Sequence, residues 1–259
     1  MKILSLSLTA LMMISMALAG SGFAERGPDI SNPSKEIIEK LIRDYIFHNP
    51  GIILKSLRDH QVKQEAVRAA QAKKRLRERL RELTQSSGSP VGGNPKGDVT
   101  VVEFFDYRCG YCRKSFPAVV ELEKSDPNVR IVFKEFPILG PASLLAARAA
   151  LAARLQGKYF ALHKKMMGGE VEISEAGIMG AASKLGLDTD KLRKDMNSPA
   201  ITEEIQKNNR LASELGITGT PAFIVGNELI PGAIDIDGLR QLVLEARKGI
   251  PALRLGGIK

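Results

Sequence analysis

The stretch EFFDYRCGYCRKSFP, residues 103–117, holds both cysteines of the 259-residue chain, Cys109 and Cys112. The run DVTVVEFFDY at residues 98–107 is rich in β-branched and aromatic residues, which predicts a buried strand. The run CGYCRKSFPAVVELEK at residues 109–124 places its apolar residues near one face of a helix. The cysteines therefore lie where a strand passes into a helix, with Cys109 at the N-terminus of that helix.

The spacing of the two cysteines is typical of a redox pair. A structural disulfide across so short a loop would stabilise poorly, because it removes little entropy from the unfolded chain. A zinc site needs about four ligands, whereas the chain has no further cysteine and its three histidines are scattered. Covalent haem attachment needs a histidine directly after the second cysteine, where Arg113 stands. The pattern predicts no metal and no organic cofactor.

The position of the pair also has a chemical reason. The unpaired N–H groups and the positive dipole at a helix N-terminus favour a thiolate over a thiol. The thiolate is the attacking species in disulfide exchange, which suits Cys109. Cys112 lies one turn further along, so we expect it to be less exposed and suited to resolving a mixed disulfide.

The first residues predict export. Lys2 supplies a positive charge, residues 3–19 form an apolar run, and Ala17 and Ala19 are the small residues that a signal peptidase needs. We predict a signal peptide over residues 1–19, with an alternative cut after Ala24.

The remaining segments predict an α/β fold. The run VRIVFKEFP at residues 129–137 is typical of a strand, and AFIV and ELI flank the turn residues Gly226 and Asn227. A final helix is expected to begin near Asp235. This is the strand-helix-strand, strand-strand-helix order of a thioredoxin fold. We place the catalytic domain at residues 98–249, with a helical insertion at about 141–216.

The region before residue 98 predicts helices. Residues 36–57 suggest two apolar-faced helices interrupted at residues 49–51. Further along, seven positions alternate by four and three like a coiled-coil seam: Val62, Ala66, Ala69, Lys73, Leu76, Leu80 and Leu83. Such a stripe must dock on the catalytic domain or pair between chains, and we favour pairing. We therefore predict an N-terminal helical, coiled-coil-like oligomerisation region at residues 35–85 and a flexible linker at residues 86–97, which is rich in Gly, Ser and Pro.

The charge of the chain is concentrated on one predicted helix. The formal net charge is +9, and residues 58–82 hold nine basic and four acidic residues. In an exported protein this pattern does not favour a nucleic-acid partner. It favours a solvated helix face, with weak contact to anionic envelope lipids as the alternative.

Three segments carry a family resemblance: VVEFFDYRCGYC at residues 101–112, VRIVFKEFPILGP at residues 129–141 and GITGTPAFIVGN at residues 216–227. They resemble the DsbA-like periplasmic thiol-disulfide oxidoreductases, which have a thioredoxin fold. The chain is most similar to the branch with an extra N-terminal helical region, which includes ScsC-type proteins and Com-type outer-membrane immunoreactive proteins. The resemblance covers residues 35–248.

This resemblance assigns roles to the redox motif. Cys109 would be the nucleophile and Cys112 the resolving thiol, and together they would form the redox-active disulfide. Gly110 and Tyr111, which stand between them, would contact substrate and tune the redox potential.

It also assigns roles outside the motif. Thr220 and Pro221 would form a cis-proline loop that lies against the cysteines and binds an extended substrate. Glu103 would be a buried acid near the resolving cysteine; a carboxylate in an apolar strand should have a raised pKa and could relay a proton. Lys134 would be its ionic neighbour.

Three functions follow as hypotheses. The first is a disulfide isomerase or reductase, which we favour because self-association in this family hinders access by the membrane partner of an oxidase. The second is a dithiol oxidase of the DsbA type. The third is a holdase or envelope interaction protein with secondary redox activity. Expected partners are exported proteins with cysteines, a membrane redox partner and further copies of the chain, in the periplasm or at the outer membrane.

Overall fold

The computed structural model describes residues 34–249 of the chain. The predicted signal peptide, residues 1–19 or 1–24, lies outside the described residues. The described residues divide into two compact units, residues 34–62 and residues 63–249. Among the helices between residues 34 and 249, none combines the length and hydropathy needed to cross a bilayer.

The described part of the first unit is helical. Helix α1 spans Lys35–His48, and helix α2, Pro50–Gln85, begins here and continues into the second unit. Asn49 separates the helices, because the residue before a proline is disfavoured in helical conformation. The predicted break at residues 49–51 is confirmed. No residue of α1 is buried; its large exposed apolar side chains are Ile38, Leu41, Ile42, Tyr45, Ile46 and Phe47.

The second unit is built on a five-stranded sheet with the order β1-β3-β2-β4-β5. The two central strands, β2 and β3, run parallel, and the other neighbouring pairs are antiparallel. Gly226 adopts a left-handed φ of 58° in the two-residue turn between the last two strands, a conformation that glycine adopts at low cost. The strands are β1 (Val91–Gly93), β2 (Val99–Phe105), β3 (Val129–Glu135), β4 (Ala222–Val225) and β5 (Glu228–Pro231).

Helices cover both faces of this sheet. The first connects the parallel strands β2 and β3, five follow between β3 and β4, and one follows the last strand. The helices are α3 (Gly110–Ser125), α4 (Pro141–Arg154), α5 (Tyr159–Met167), α6 (Glu175–Lys184), α7 (Thr189–Met196), α8 (Pro199–Leu215) and α9 (Ile236–Arg247). This arrangement confirms the predicted fold class, a thioredoxin fold with a helical insertion and a preceding helical region.

Alternation along β2 and β3 divides the core into two clusters. Odd-numbered residues such as Val101 and Phe105 pack with α3, α5 and α9, whereas even-numbered residues such as Val102 and Phe104 pack on the opposite face. Successive side chains of a strand point to opposite faces, so each buried polar residue in these strands belongs to one cluster or the other.

The C-terminal half of α2 docks on the catalytic domain, contrary to the preference for pairing between chains. Leu76 and Leu83 are buried in the cluster on the even-numbered face. Lys73, the polar position of the predicted seam, forms an ion pair with Glu228 of β5 at 2.6 Å. The seam side chains at these positions therefore already have a partner within the chain. The adjoining sheet face buries Leu76 and Leu83, whereas Val62, Ala66 and Leu80 of the predicted seam remain exposed.

The prediction of a flexible linker at residues 86–97 is wrong. Strand β1 pairs with β3, Val91 facing Val132, and thereby extends the sheet of the catalytic domain. Ser89 and Pro90 are buried, and the Arg154 guanidinium donates to the backbone oxygens of residues 87 and 88. A composition rich in Gly and Ser does not reveal that the open edge of β3 offers backbone partners to this segment.

Replacement of Leu83 by alanine should lower the free energy of unfolding of the full mature chain by about 2–5 kcal/mol, because the side chain is fully enclosed. Urea denaturation would measure the change. Leu80→Ala, on the same helix at 38% exposure, is the matched control and should cost much less. Equal effects of the two substitutions would contradict the docking of α2 on this domain.

Candidate active site

Cys109 lies at the junction between strand and helix. β2 ends at Phe105, and Cys109 is the residue directly before α3, with an extended backbone (φ −74°, ψ 116°). Its N–H donates to the backbone oxygen of Asp106 at 3.1 Å, which closes the turn. The predicted strand-to-helix position is therefore confirmed, and the Cys109 side chain lies at the positive end of the α3 dipole.

The thiol of Cys109 contacts the loop before β4. Its Sγ donates to the backbone oxygen of Thr220 at 3.1 Å. The Thr220–Pro221 peptide bond is cis, as the family resemblance implies. Thr220 and Pro221 therefore come together with the redox motif, although more than a hundred residues separate them.

Cys112 is completely enclosed, whereas Cys109 retains a small exposed surface. Both cysteines are free thiols in this structure. Burial raises the pKa of the Cys112 thiol well above its ordinary value, and the nearby charge of Glu103 raises it further. Cys112 therefore has the properties of a second thiol that reacts only when a base takes its proton.

Glu103 is the buried acid near this thiol. Its side chain is 3% exposed, and its Oε1 has no hydrogen-bond partner among the described residues. Burial raises the pKa of Glu103 to about 8. The raised pKa expected from the sequence is confirmed, and the carboxyl can gain or lose a proton near neutral pH.

Lys134 is not the ionic neighbour of Glu103. Glu103 lies opposite Phe133 in the sheet and on the odd-numbered face, whereas Lys134 is even-numbered and points to the other face. The Lys134 Nζ donates to Ser89 Oγ at 2.8 Å and to the backbone oxygen of Glu82 at 3.3 Å. Burial lowers its pKa to about 8. This lysine fastens the end of α2 to the sheet and lies outside the redox site.

The residues between the cysteines are exposed. Tyr111 is 67% exposed, and a Cβ at Gly110 would meet no atom within 4 Å. Neither residue is needed to fill the core, so both are available to an approaching partner.

Sequence reasoning missed Asp106, the residue that follows β2. Its carboxylate is buried and accepts from the N–H groups of Arg108, Ile138 and Leu139 and from the Ser143 hydroxyl, at 2.7–3.0 Å. An acidic residue directly after an apolar strand is the signal that could have marked it, although three of its partners lie about thirty residues away in sequence.

A second buried polar group lies on the same face as Glu103. Glu135 Oε1 accepts from the hydroxyls of Tyr107 and Tyr159 at 2.9 and 2.8 Å, and His163 Nδ1 lies 2.9 Å from the Tyr107 hydroxyl. Burial lowers the pKa of His163 to about 3, so the ring is neutral. Since the Tyr107 hydroxyl donates to Glu135, it accepts from His163 Nδ1–H. The group fixes Tyr107, two residues before Cys109.

No cluster of His, Cys, Asp and Glu that could hold a metal ion occurs between residues 34 and 249. The groups that the structure brings together at the site are the two thiols, Glu103 and the backbone oxygen of Thr220.

Comparisons with known proteins agree with this geometry. A model of the DSBA-like thioredoxin domain family matches residues 100–243. A thioredoxin-like oxidoreductase from Silicibacter pomeroyi is 49% identical, with a TM-score of 0.63 over 65% of this chain and 97% of that one. A linker-deletion mutant of Proteus mirabilis ScsC is 27% identical, with a TM-score of 0.65 over 83% of this chain and 95% of that one.

The curated relatives matched first are longer proteins. The Na⁺/H⁺ antiporter NhaA 1 of Salinispora arenicola is 32% identical over 161 residues, which are 61% of this chain and 25% of the antiporter. The chain thus spans about a quarter of the length of these relatives.

The free energy of unfolding should depend on the charge of Glu103. Because the pKa of Glu103 is raised in the folded state, the protonated carboxyl stabilises the folded protein at low pH. This contribution is lost as the pH rises through about 8. Glu103→Gln should therefore gain stability relative to wild type, by up to about 4 kcal/mol, between pH 5 and pH 8. Urea denaturation at several pH values would measure this. Glu203→Gln, at an exposed carboxyl, is the control, and its free energy of unfolding should change with pH as that of wild type does. The same pH dependence in Glu103→Gln would contradict the assignment of a raised pKa to Glu103.

Proposed function

Since this chain belongs to the DSBA-like thioredoxin domain family, we propose that it is a periplasmic thiol-disulfide oxidoreductase that acts on protein disulfides. The observation that carries the proposal is the arrangement of the cysteines: Cys109 directly precedes α3 and its Sγ donates to the backbone oxygen of Thr220, and Cys112 is enclosed beside Glu103. The similar Silicibacter pomeroyi protein is described as a thioredoxin-like oxidoreductase.

The reaction begins at Cys109. Its thiolate attacks one sulfur of a substrate disulfide, the substrate S–S bond breaks, and a mixed disulfide with Cys109 forms while the other substrate sulfur leaves as a thiolate. In the proposed reaction, the backbone of Thr220, whose oxygen contacts the Cys109 Sγ, pairs with an extended substrate segment. Gly110 and Tyr111 contact the same segment.

Cys112 then resolves the mixed disulfide. Its thiol gives a proton to the Glu103 carboxylate, and the thiolate attacks the Cys109 Sγ. The Cys109–Cys112 disulfide forms, the substrate sulfur leaves as a thiolate, and two electrons have passed from the protein to the substrate. A membrane redox partner returns these electrons. The reverse sequence oxidises a substrate dithiol.

Isomerisation needs only the first half of this sequence. The released substrate thiolate attacks a different disulfide of the same substrate, and a substrate thiolate finally displaces Cys109. No net electrons are transferred. We favour the isomerase or reductase over the simple oxidase because an assembly of several catalytic domains can hold one misfolded substrate.

The assembly itself is proposed to form through α1 and the beginning of α2. Whereas Leu76 and Leu83 are docked on the catalytic domain, residues 38–57 present a run of exposed apolar side chains. Phe47 is 80% exposed, and large exposed apolar patches mark association sites. A second copy of the chain is the partner that presents the same surface, and C2-type pairing of identical patches is common.

Replacement of the cysteines separates their roles. Cys112→Ala should accumulate a mixed disulfide between Cys109 and a substrate protein, because no second thiol resolves it. Cys109→Ala should form none, although Cys112 remains. Non-reducing electrophoresis after mixing with oxidised substrate proteins would show the adduct, and dithiothreitol should remove it. An adduct of equal yield in Cys109→Ala would exclude the assigned order.

Reactivation of scrambled ribonuclease distinguishes the functional alternatives. The mature chain should restore ribonuclease activity, and Leu41→Asp/Phe47→Asp should dissociate the assembly and remove most of that activity. Lys40→Asp, an exposed polar position of the same helix, is the control and should remain assembled. Sedimentation velocity would give the size of each species.

Two results would redirect the proposal. Weak reactivation alongside rapid oxidation of a reduced substrate would exclude the isomerase and favour the oxidase. Suppression of substrate aggregation that survives Cys109→Ala/Cys112→Ala would favour the holdase.

A further inference from the structure

The part of α2 within the second unit carries most of the positive charge of the chain. Residues 63–85 hold eight basic and three acidic residues, a surplus of five, and the formal net charge of the whole chain is +9. One side of this segment is docked on the sheet through Leu76 and Leu83. The positions of the basic residues around the helix therefore decide which of them remain available to a partner.

The basic residues nearest the docked side are already paired. The Lys73 Nζ lies 2.6 Å from Glu228 Oε1, and the Arg79 Nε lies 2.8 Å from Glu214 Oε2. Both carboxylates belong to the catalytic domain, one in β5 and the other in α8. These two cations are therefore neutralised within the domain.

Four other basic residues form a row along the outer side of α2: Lys63, Lys74, Arg77 and Arg81. At about 100° of rotation per residue, they lie within about 60° of one another and face about 140° away from the side of Leu76 and Leu83. All four side chains are exposed. The row is about 27 Å long, because an α-helix rises about 1.5 Å per residue.

The row has little acidic compensation. Three of its members form no ion pair among the described residues, and Lys74 reaches only Glu78, at 3.9 Å. Between the cations lie Val67, which is 52% exposed, and the exposed Ala70. The outer side of α2 thus presents uncompensated positive charge around two small apolar side chains.

We propose that this row is a docking surface for an anionic lipid bilayer, whose phosphate groups it contacts. Each basic residue near an anionic membrane surface contributes to binding, and a planar bilayer meets all four members of a straight row at once. The contact is peripheral, because the apolar side of this part of α2 is already buried on the sheet.

Other polyanions fit this surface less well. Proteins that bind single-stranded nucleic acids combine basic grooves with aromatic side chains on which the bases stack, and residues 63–85 contain no aromatic residue. An acidic protein would need carboxylates matched to the four positions of the row. A bilayer supplies negative charge at every position along it.

The test measures binding of the full mature chain to lipid vesicles by flotation. One set of vesicles contains phosphatidylcholine alone, and the other contains phosphatidylcholine with phosphatidylglycerol. Arg77→Gln/Arg81→Gln removes two charges from the row. Lys184→Gln/Lys194→Gln is the matched control, because it removes two exposed charges from α6 and α7 instead.

Wild type should bind the vesicles with phosphatidylglycerol and not those of phosphatidylcholine alone. Arg77→Gln/Arg81→Gln should lower the partition coefficient about 25-fold, because each basic residue at an anionic surface contributes about fivefold. The control should bind as wild type does. Binding of wild type should be lost between about 0.1 M and 1 M salt, because the Debye length falls from about 10 Å to about 3 Å. Both variants should keep wild-type disulfide exchange, since the row lies outside the redox site.

Three results would overturn the proposal. Equal loss of binding in both variants would show that the net charge of the protein, and not the row, attracts it. Binding that persists at about 1 M salt, or that extends to phosphatidylcholine alone, would show that apolar insertion is responsible. Failure of wild type to bind vesicles with phosphatidylglycerol would exclude the bilayer and favour an acidic protein as the partner of this surface.

Discussion

Burial of the two parallel strands β2 and β3 on both faces is the constraint on which the rest of the structure depends. Successive residues of each strand must therefore face opposite helical layers in alternation. A charged residue in such a strand is therefore assigned to one side, with no freedom to reach a partner on the other. Glu103 lies on the side of α3 and the cysteines, and Lys134 lies on the side of α2.

This assignment accounts for the chemistry of the redox site. Without a basic partner, Glu103 experiences only the cost of burial, which favours the protonated form and raises its pKa into the range where proton transfer is useful. Cys112 is enclosed beside it, and its thiol is likewise held in the neutral form. Cys109, one turn earlier, instead faces the helix dipole and retains a small exposed surface. Two cysteines of one motif thus obtain different environments from a single strand-to-helix turn.

The other face of the sheet explains the division of the N-terminal helices. Leu76 and Leu83 complete the apolar cluster there, and Lys134 binds the last turn of α2 and the buried Ser89. The second half of α2 is consequently part of the catalytic domain. The apolar side chains of α1 receive no such cover within the described residues of their unit. The two parts of the helical region therefore differ: one completes a core, and the other keeps its apolar side chains exposed.

The local sequence determined the elements and the central motif. The apolar strand before Cys109, the helix after it, the break at residues 49–51 and the raised pKa of Glu103 all follow from neighbours in the chain, because propensity, periodicity and burial of a single strand are local properties. The Thr220–Pro221 loop was located by family resemblance. Only the tertiary structure decided the partner of Lys134, the strand at Val91–Gly93 and the three bonds to Asp106 from the segment after β3. Each of these contacts depends on a sheet edge, a sheet face or a loop that a distant segment supplies. The local sequence around Lys134, Val91 or Asp106 does not identify that distant segment.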